Sequence, residues 1–176
     1  ESIDGDGRCD RSAFCIHYPI HVACAQAACV LHAHPPYATA LSMVKGGRLL
    51  MADQNALALY DRVAYDESYE GFIFDPTQGA RLAELLGDKR VLILRNHGVL
   101  VVGPTVAEAY TDLYHLERAC MFQCHAMAMA SGGELNAVPP NTGNTVAAQA
   151  DDTGYKLMHF SAMRRLLDAE QPDYVN

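Results

Sequence analysis

The sequence predicts an α/β fold in which helices cover a sheet. Three observations carry this expectation. Strand-sized apolar segments alternate with segments of helical spacing along the chain. Two strongly apolar, β-rich runs, Val91–Leu94 and Val99–Val102, flank a short polar centre, as strands buried on both faces do. A long amphipathic segment then begins at Thr105 and repeats its apolar positions at helical intervals.

In order, residues 1–11 form a polar, glycine-rich turn region. Ser12 could cap a helix running to about Ala27, with Pro19 in its early turns or interrupting it. Ala28–Leu31 is a short buried strand, and Pro35-Pro36 ends the extended run that follows it. A helix from about Tyr37 to Val44 comes next, and Gly46-Gly47 turns the chain. Asn55–Tyr60 is a short helical piece and Arg62–Tyr65 a strand candidate. Pro76–Leu86 reads as a helix, with Leu82, Leu85 and Leu86 on one face and Gly87 as its stop. After the two strands, Thr105 caps a helix to about Ala130, with Glu108 placed as in a capping box. The stretch 132–154 is rich in Ala, Asn, Thr, Pro and Gly and reads as an extended surface connection. Tyr155–Glu170 is a final amphipathic helix. The organisation is thus a domain over 1–131, a connection over 132–154 and a C-terminal helical segment over 155–176. The opening Glu1-Ser-Ile-Asp-Gly-Asp-Gly reads like a strand and turn entered midway, so an N-terminal part of the domain is expected to be missing.

Composition narrows the function classes. Half of the 176 residues are hydrophobic and 19% charged, which excludes a disordered chain. No apolar run approaches the ~18 residues a membrane span needs. The formal net charge of −8 argues against a nucleic-acid surface, which needs clustered Lys and Arg. Six cysteines lack the spacing of a disulfide framework. Cys24, Cys29, Cys120 and Cys124 lie among Ala and Val and are expected to be buried free thiols, and Cys9 to be exposed. With no signal peptide in the sequence given, the expected compartment is the cytoplasm.

Eight histidines are the chemical feature. His32 and His34 end a strand, and residues two apart on a strand share a face, so both imidazoles can converge. Imidazole nitrogen suits Zn, Fe, Cu or Mn better than Ca or Mg. His97, in Arg95-Asn96-His97-Gly98 between the apolar runs, is the third candidate ligand; the plain alternative is a histidine hydrogen-bonded in a tight turn whose Gly98 has positive φ. Three histidines with an open position are a common catalytic metal geometry. His17, His21 and Cys24 form a competing set at helical spacing, with packed helix histidines as the alternative. His115, His125 and His159 read as surface or interface residues. No nucleophile-elbow, P-loop or dinucleotide motif occurs in a suitable context. Tyr37, Asp53 and Tyr155 could move protons, but spacing marks none of them.

Two segments closely resemble the class II aldolase/adducin family: Cys29-Val-Leu-His-Ala-His-Pro-Pro-Tyr-Ala-Thr-Ala-Leu-Ser42, and Val91–Gly103 with Asn96-His97-Gly98 at its centre. Gly103–Tyr110 and the helix over Leu113–Gln123 continue the match. Met158–Asp168 is similar to the C-terminal helix of the adducin-like bacterial branch. The resemblance runs over nearly the whole chain from Ser12. It implies a three-layer α/β/α sandwich around a mixed, mostly antiparallel sheet, and a homo-oligomer, dimer or tetramer, with sites near subunit contacts. In the family's aldolases the matching histidines hold a divalent metal, commonly Zn; these map onto His32, His34 and His97, and Fe or Mn are the alternatives.

Two departures accompany it. The catalytic Glu of the sugar-phosphate aldolases maps onto Ala13, which cannot transfer a proton. The family's N-terminal phosphate-binding segments are absent from the sequence given. The resemblance therefore implies a metal-dependent lyase, aldolase or decarboxylase, acting on a small hydroxy- or oxo-acid. Its alternatives are a non-haem iron oxygenase on an aromatic hydroxy acid and a non-catalytic adducin-like scaffold.

Overall fold

The computed structural model describes residues 9–175. The elements in chain order are α1 (Arg11–Ala23), β1 (Cys29–Ala33), α2 (Pro36–Met43), α3 (Gln54–Ala58), β2 (Val63–Asp66), α4 (Pro76–Leu86), β3 (Val91–Leu94), β4 (Gly98–Gly103), α5 (Val106–Ala130), α6 (Pro140–Ala150) and α7 (Thr153–Glu170). A short 3₁₀ turn, Pro172–Val175, follows. Most of the turn region expected at the N-terminus, residues 1–8, lies outside the described residues.

The four strands form one mixed sheet in the order β1-β4-β3-β2. Both pairs made by β4 are antiparallel, and β2 runs parallel to β3. The two apolar runs are fully buried, as expected. Their period of two divides the core between the two faces of the sheet. Leu92, Leu94, Leu100 and Val102 pack with α1 and α4; Val91, Ile93, Val99 and Val101 pack with α2, α3 and α5. The result is a three-layer α/β/α sandwich. Among the described residues no helix is long and apolar enough to cross a membrane.

The helix starts follow from caps. Asp10, not Ser12, caps α1: its carboxylate accepts the Ala13 N–H at 2.9 Å, and the Ser12 hydroxyl donates to the same oxygen. Helix α1 ends at Ala23, four residues before the expected end. Pro19 stays inside it and cannot donate to the Cys15 carbonyl. Gly79 of α4 lies against that carbonyl so closely that a Cβ there would come within 1.9 Å of the oxygen. Asp75 caps α4 and Thr105 caps α5, both as side-chain acceptors. The capping box at Thr105 is half formed, because Glu108 accepts the Thr105 hydroxyl instead of reaching back to its N–H.

The expected extended connection over 132–154 instead contains α6, and α7 begins within it at Thr153. Tertiary contact explains α6 better than propensity does. Pro140 opens it, Ala147 is buried, and Gly143 presses on the Tyr60 ring at a spot where a Cβ would be 2.4 Å from a ring carbon. Helix α7 is anchored on α5 by a buried ion pair, Lys156 Nζ to Asp112 Oδ1 at 2.6 Å. Cys24 and Cys120 are buried and Cys9 is exposed, as expected, but Cys124 is exposed and Cys29 only half-buried. Cys124 lies near the C-terminal end of α5.

Candidate metal centre

Strand β1 supplies His32, and His34 follows one residue past its end. In the antiparallel pairing His32 sits opposite Leu100, on the face of the sheet covered by α1 and α4. Pro35-Pro36 then turns the chain directly into α2. The N-terminus of α2 is held by a residue that the sequence pattern did not mark. The Glu117 carboxylate of α5 accepts the N–H groups of Tyr37 and Ala38 at 2.9 and 2.8 Å.

His97 comes from the tight turn between β3 and β4. Its left-handed residue is Asn96, with φ of 53°, and not Gly98 as expected. Asn and Asp tolerate this conformation through their short polar side chains. Gly98 is required for space: a Cβ there would lie 2.4 Å from Cδ2 of His34 and 2.6 Å from the Ala33 carbonyl oxygen. The His34 ring therefore occupies the place a side chain at 98 would need. This is how two distant segments lay their histidines together.

The three rings form a compact triangle. Their centroids are 5.1 Å (His32–His34), 4.8 Å (His32–His97) and 4.9 Å (His34–His97) apart. One nitrogen from each lies within 4.8 Å of the others. Ligand atoms about 2.1 Å from a tetrahedral ion lie about 3.4 Å from one another, so an ion needs the nitrogens to close in by up to about 1.4 Å. His32 Nδ1 lies 3.0 Å from the Val99 carbonyl oxygen. A carbonyl only accepts, so Nδ1 carries the proton and Nε2 keeps its lone pair free. Burial, reinforced by the neighbouring His97, pushes the His32 pKa down to about 4. Burial and then His34 lower that of His97. Both rings are thus neutral near pH 7, the form that ligates metal. The donor set, three imidazoles without a carboxylate, suits a divalent transition metal.

The competing set does not converge. The His17 and His21 rings are 6.5 Å apart, His21 is bonded to the Ala27 carbonyl oxygen, and Cys24 is buried against Ala83. His115 and His159 are half-buried. They stack at 6.2 Å between α5 and α7, and His159 is bonded to Thr111. His125 is exposed. Ala13 lies in the first turn of α1 and presents only a methyl group. Of the proton-transfer candidates, Asp53 is engaged as the α3 cap, Tyr155 stacks on His115, and Tyr37 lies beside His125.

The family model described as Class II Aldolase and Adducin N-terminal domain matches residues 1–124. Human beta-adducin is 37% identical over 126 residues, which cover 71% of this chain and 17% of that protein. An aldolase II superfamily protein from Pseudomonas syringae superposes with a TM-score of 0.81 at 37% identity, covering 94% of this chain and 66% of the other. The L-fuculose 1-phosphate aldolase of Glaciozyma antarctica superposes with a TM-score of 0.79 over 96% of this chain and 66% of its own; at 24% identity it speaks for the fold alone. The chain thus spans 17% of the length of beta-adducin and 66% of each of these two solved structures.

Proposed function

The chain belongs to the class II aldolase and adducin family, and from that premise we propose that it is a metal-dependent lyase, aldolase or decarboxylase, acting on a small hydroxy- or oxo-acid. His32, His34 and His97 are the proposed ligands of a divalent ion, zinc first and iron or manganese otherwise. The observation that carries this reading is the triangle of three imidazoles, one with its tautomer set by a backbone carbonyl. A core needs no such arrangement, since half-burying His32 and His97 beside a third imidazole costs stability unless something satisfies them. When bound, the ion supplies Lewis-acid polarisation of a substrate oxygen, which eases cleavage of the neighbouring C–C bond.

The chain's own residues have distinct parts in this proposal. His32 is held in the ligating tautomer by Val99. Gly98 admits the His34 ring. Glu117 fixes the start of α2 immediately after the HxH pair. Proton transfer falls to a group other than residue 13, because Ala13 has no titratable atom. We place the protein in the cytoplasm as a homo-oligomer whose partners are small-molecule substrates.

A second reading is favoured by the same Ala13: a metal-holding scaffold without turnover. Zinc titration of the full chain by calorimetry, followed by a C–C cleavage screen over hydroxy acids and aldehydes, separates the two. One zinc per chain with turnover supports the lyase. One zinc with no turnover across the screen supports the scaffold. No stoichiometric zinc, iron or manganese overturns both.

A further inference from the structure

We propose that the cavity between the Ser42–Arg48 turn and the β3–β4 turn is an oxyanion subsite, built to take a carboxylate or phosphate group. The cavity measures about 380 Å³ and is walled by Lys45, Arg48, Arg95, Asn96, Tyr65 and Glu67, among others. That is the size of site that holds a small ligand.

Its charges do not balance internally. Asp66, which also lines it, is engaged by Arg81 through two bonds of 2.8 and 2.7 Å. Glu67 is paired with Arg48, whose guanidinium lies 4.3 Å over the Tyr65 ring. Among the described residues the Arg95 guanidinium donates only to the neutral Glu67 carbonyl, at 2.8 Å. Lys45 has no ion pair among the described residues. Two cations thus face one cavity without a counter-charge, in a chain whose net charge is −8. A guanidinium and an ammonium lining one cavity favour an anion between them, since both groups recognise planar and tetrahedral oxyanions.

The cavity shares part of its wall with a cleft that reaches His97. Arg95 and Asp66 also line a smaller cleft on the other side of the turn, and His97 lines that cleft too. Arg95 thus lines both, and in the lyase reading the anion it takes is the acid group of the substrate. That identification of the anion rests on the lyase reading; oxyanion binding at the cavity does not.

The test uses the full chain, titrated separately with inorganic phosphate and with malonate while backbone amide NMR shifts are followed. We expect saturable shifts at Lys45–Arg48 and Arg95–Asn96, weakened at least tenfold in the Lys45→Gln/Arg95→Gln double variant and unchanged in Arg118→Gln. Tighter phosphate marks a phosphorylated substrate, and tighter malonate a carboxylic acid. Absence of saturable binding, or equal binding by the double variant, overturns the subsite. Zinc binding without anion binding sinks the subsite alone; anion binding without zinc leaves it standing and sinks the lyase reading.

Discussion

His34 is the exposed member of the triad, and contact with Gly98 places its ring. Its loss should leave the fold intact while removing a ligand. We expect His34→Ala to weaken zinc binding by more than about a hundredfold, beyond the 10–100-fold that supporting residues cost. His125→Ala, on the exposed side of α5, should bind as the parent does; calorimetry on both variants checks this. The same triad carries a pH dependence. In the unfolded chain His32 takes up a proton as pH falls through about 6.5. In the folded chain it does so only near 4. Between these values the unfolded state binds more protons, so stability falls as pH is lowered through this window. Urea midpoints measured in chelator at pH 7 and pH 4.5 should therefore drop, and His32→Asn should reduce the drop. An unchanged slope in that variant would assign the acid sensitivity to other groups.

At the scale of elements, the junction of α1 with α4 depends on one missing side chain. Gly79 packs on the carbonyl that Pro19 leaves without its helical donor. A methyl group at this point meets backbone, which cannot rotate away. Gly79→Ala is expected to cost about 1–3 kcal/mol or more, the range of overpacking, despite the better helix propensity of Ala. Its urea unfolding midpoint would show this; a stabilised variant would mean that α1 and α4 slide apart freely. Helix α7 illustrates the opposite arrangement, since its one buried residue is the charged Lys156. Removing one partner of a buried ion pair typically costs about 3–5 kcal/mol, so Lys156→Met should detach α7 well before the sheet unfolds. Hydrogen exchange along Thr153–Glu170 against exchange in β3 and β4 measures that order.

For the whole molecule, the outer surface is the informative part. Met127 and Met129 near the end of α5 are 52% and 86% exposed, and Leu157 and Met158 on α7 are 57% and 63% exposed. Such side chains on two neighbouring helices are what an interface between copies would cover. We expect sedimentation at micromolar concentration to show a dimer or tetramer. A single species near 19.2 kDa would remove the oligomer from the proposal.

Much of this architecture could be read from residue order, and the rest could not, for identifiable reasons. The two runs around Arg95–Gly98 announced buried strands because apolar continuity over that length has few other outcomes, and Pro76–Leu86 announced its helix through spacing and a terminal glycine. The histidines were visible as candidates because a strand places i and i+2 on one face, a purely local rule. Local rules also account for the failures. Helix α6 has the composition of a loop and exists because Tyr60 and α3 give it a seat. Glu117 looked like one more charged residue on a helix, and only the packing of α5 against α2 turns it into a cap. Turn chemistry predicts a positive φ at Gly98, whereas the His34 ring, from the segment just after β1, is what requires a glycine there. What the chain determined by itself was the set of elements and the donor atoms, because those follow from side-chain chemistry and backbone period. Which donors meet, which charges stay unpaired and which glycines cannot change were decided by tertiary packing, because each depends on distances between segments far apart in the chain.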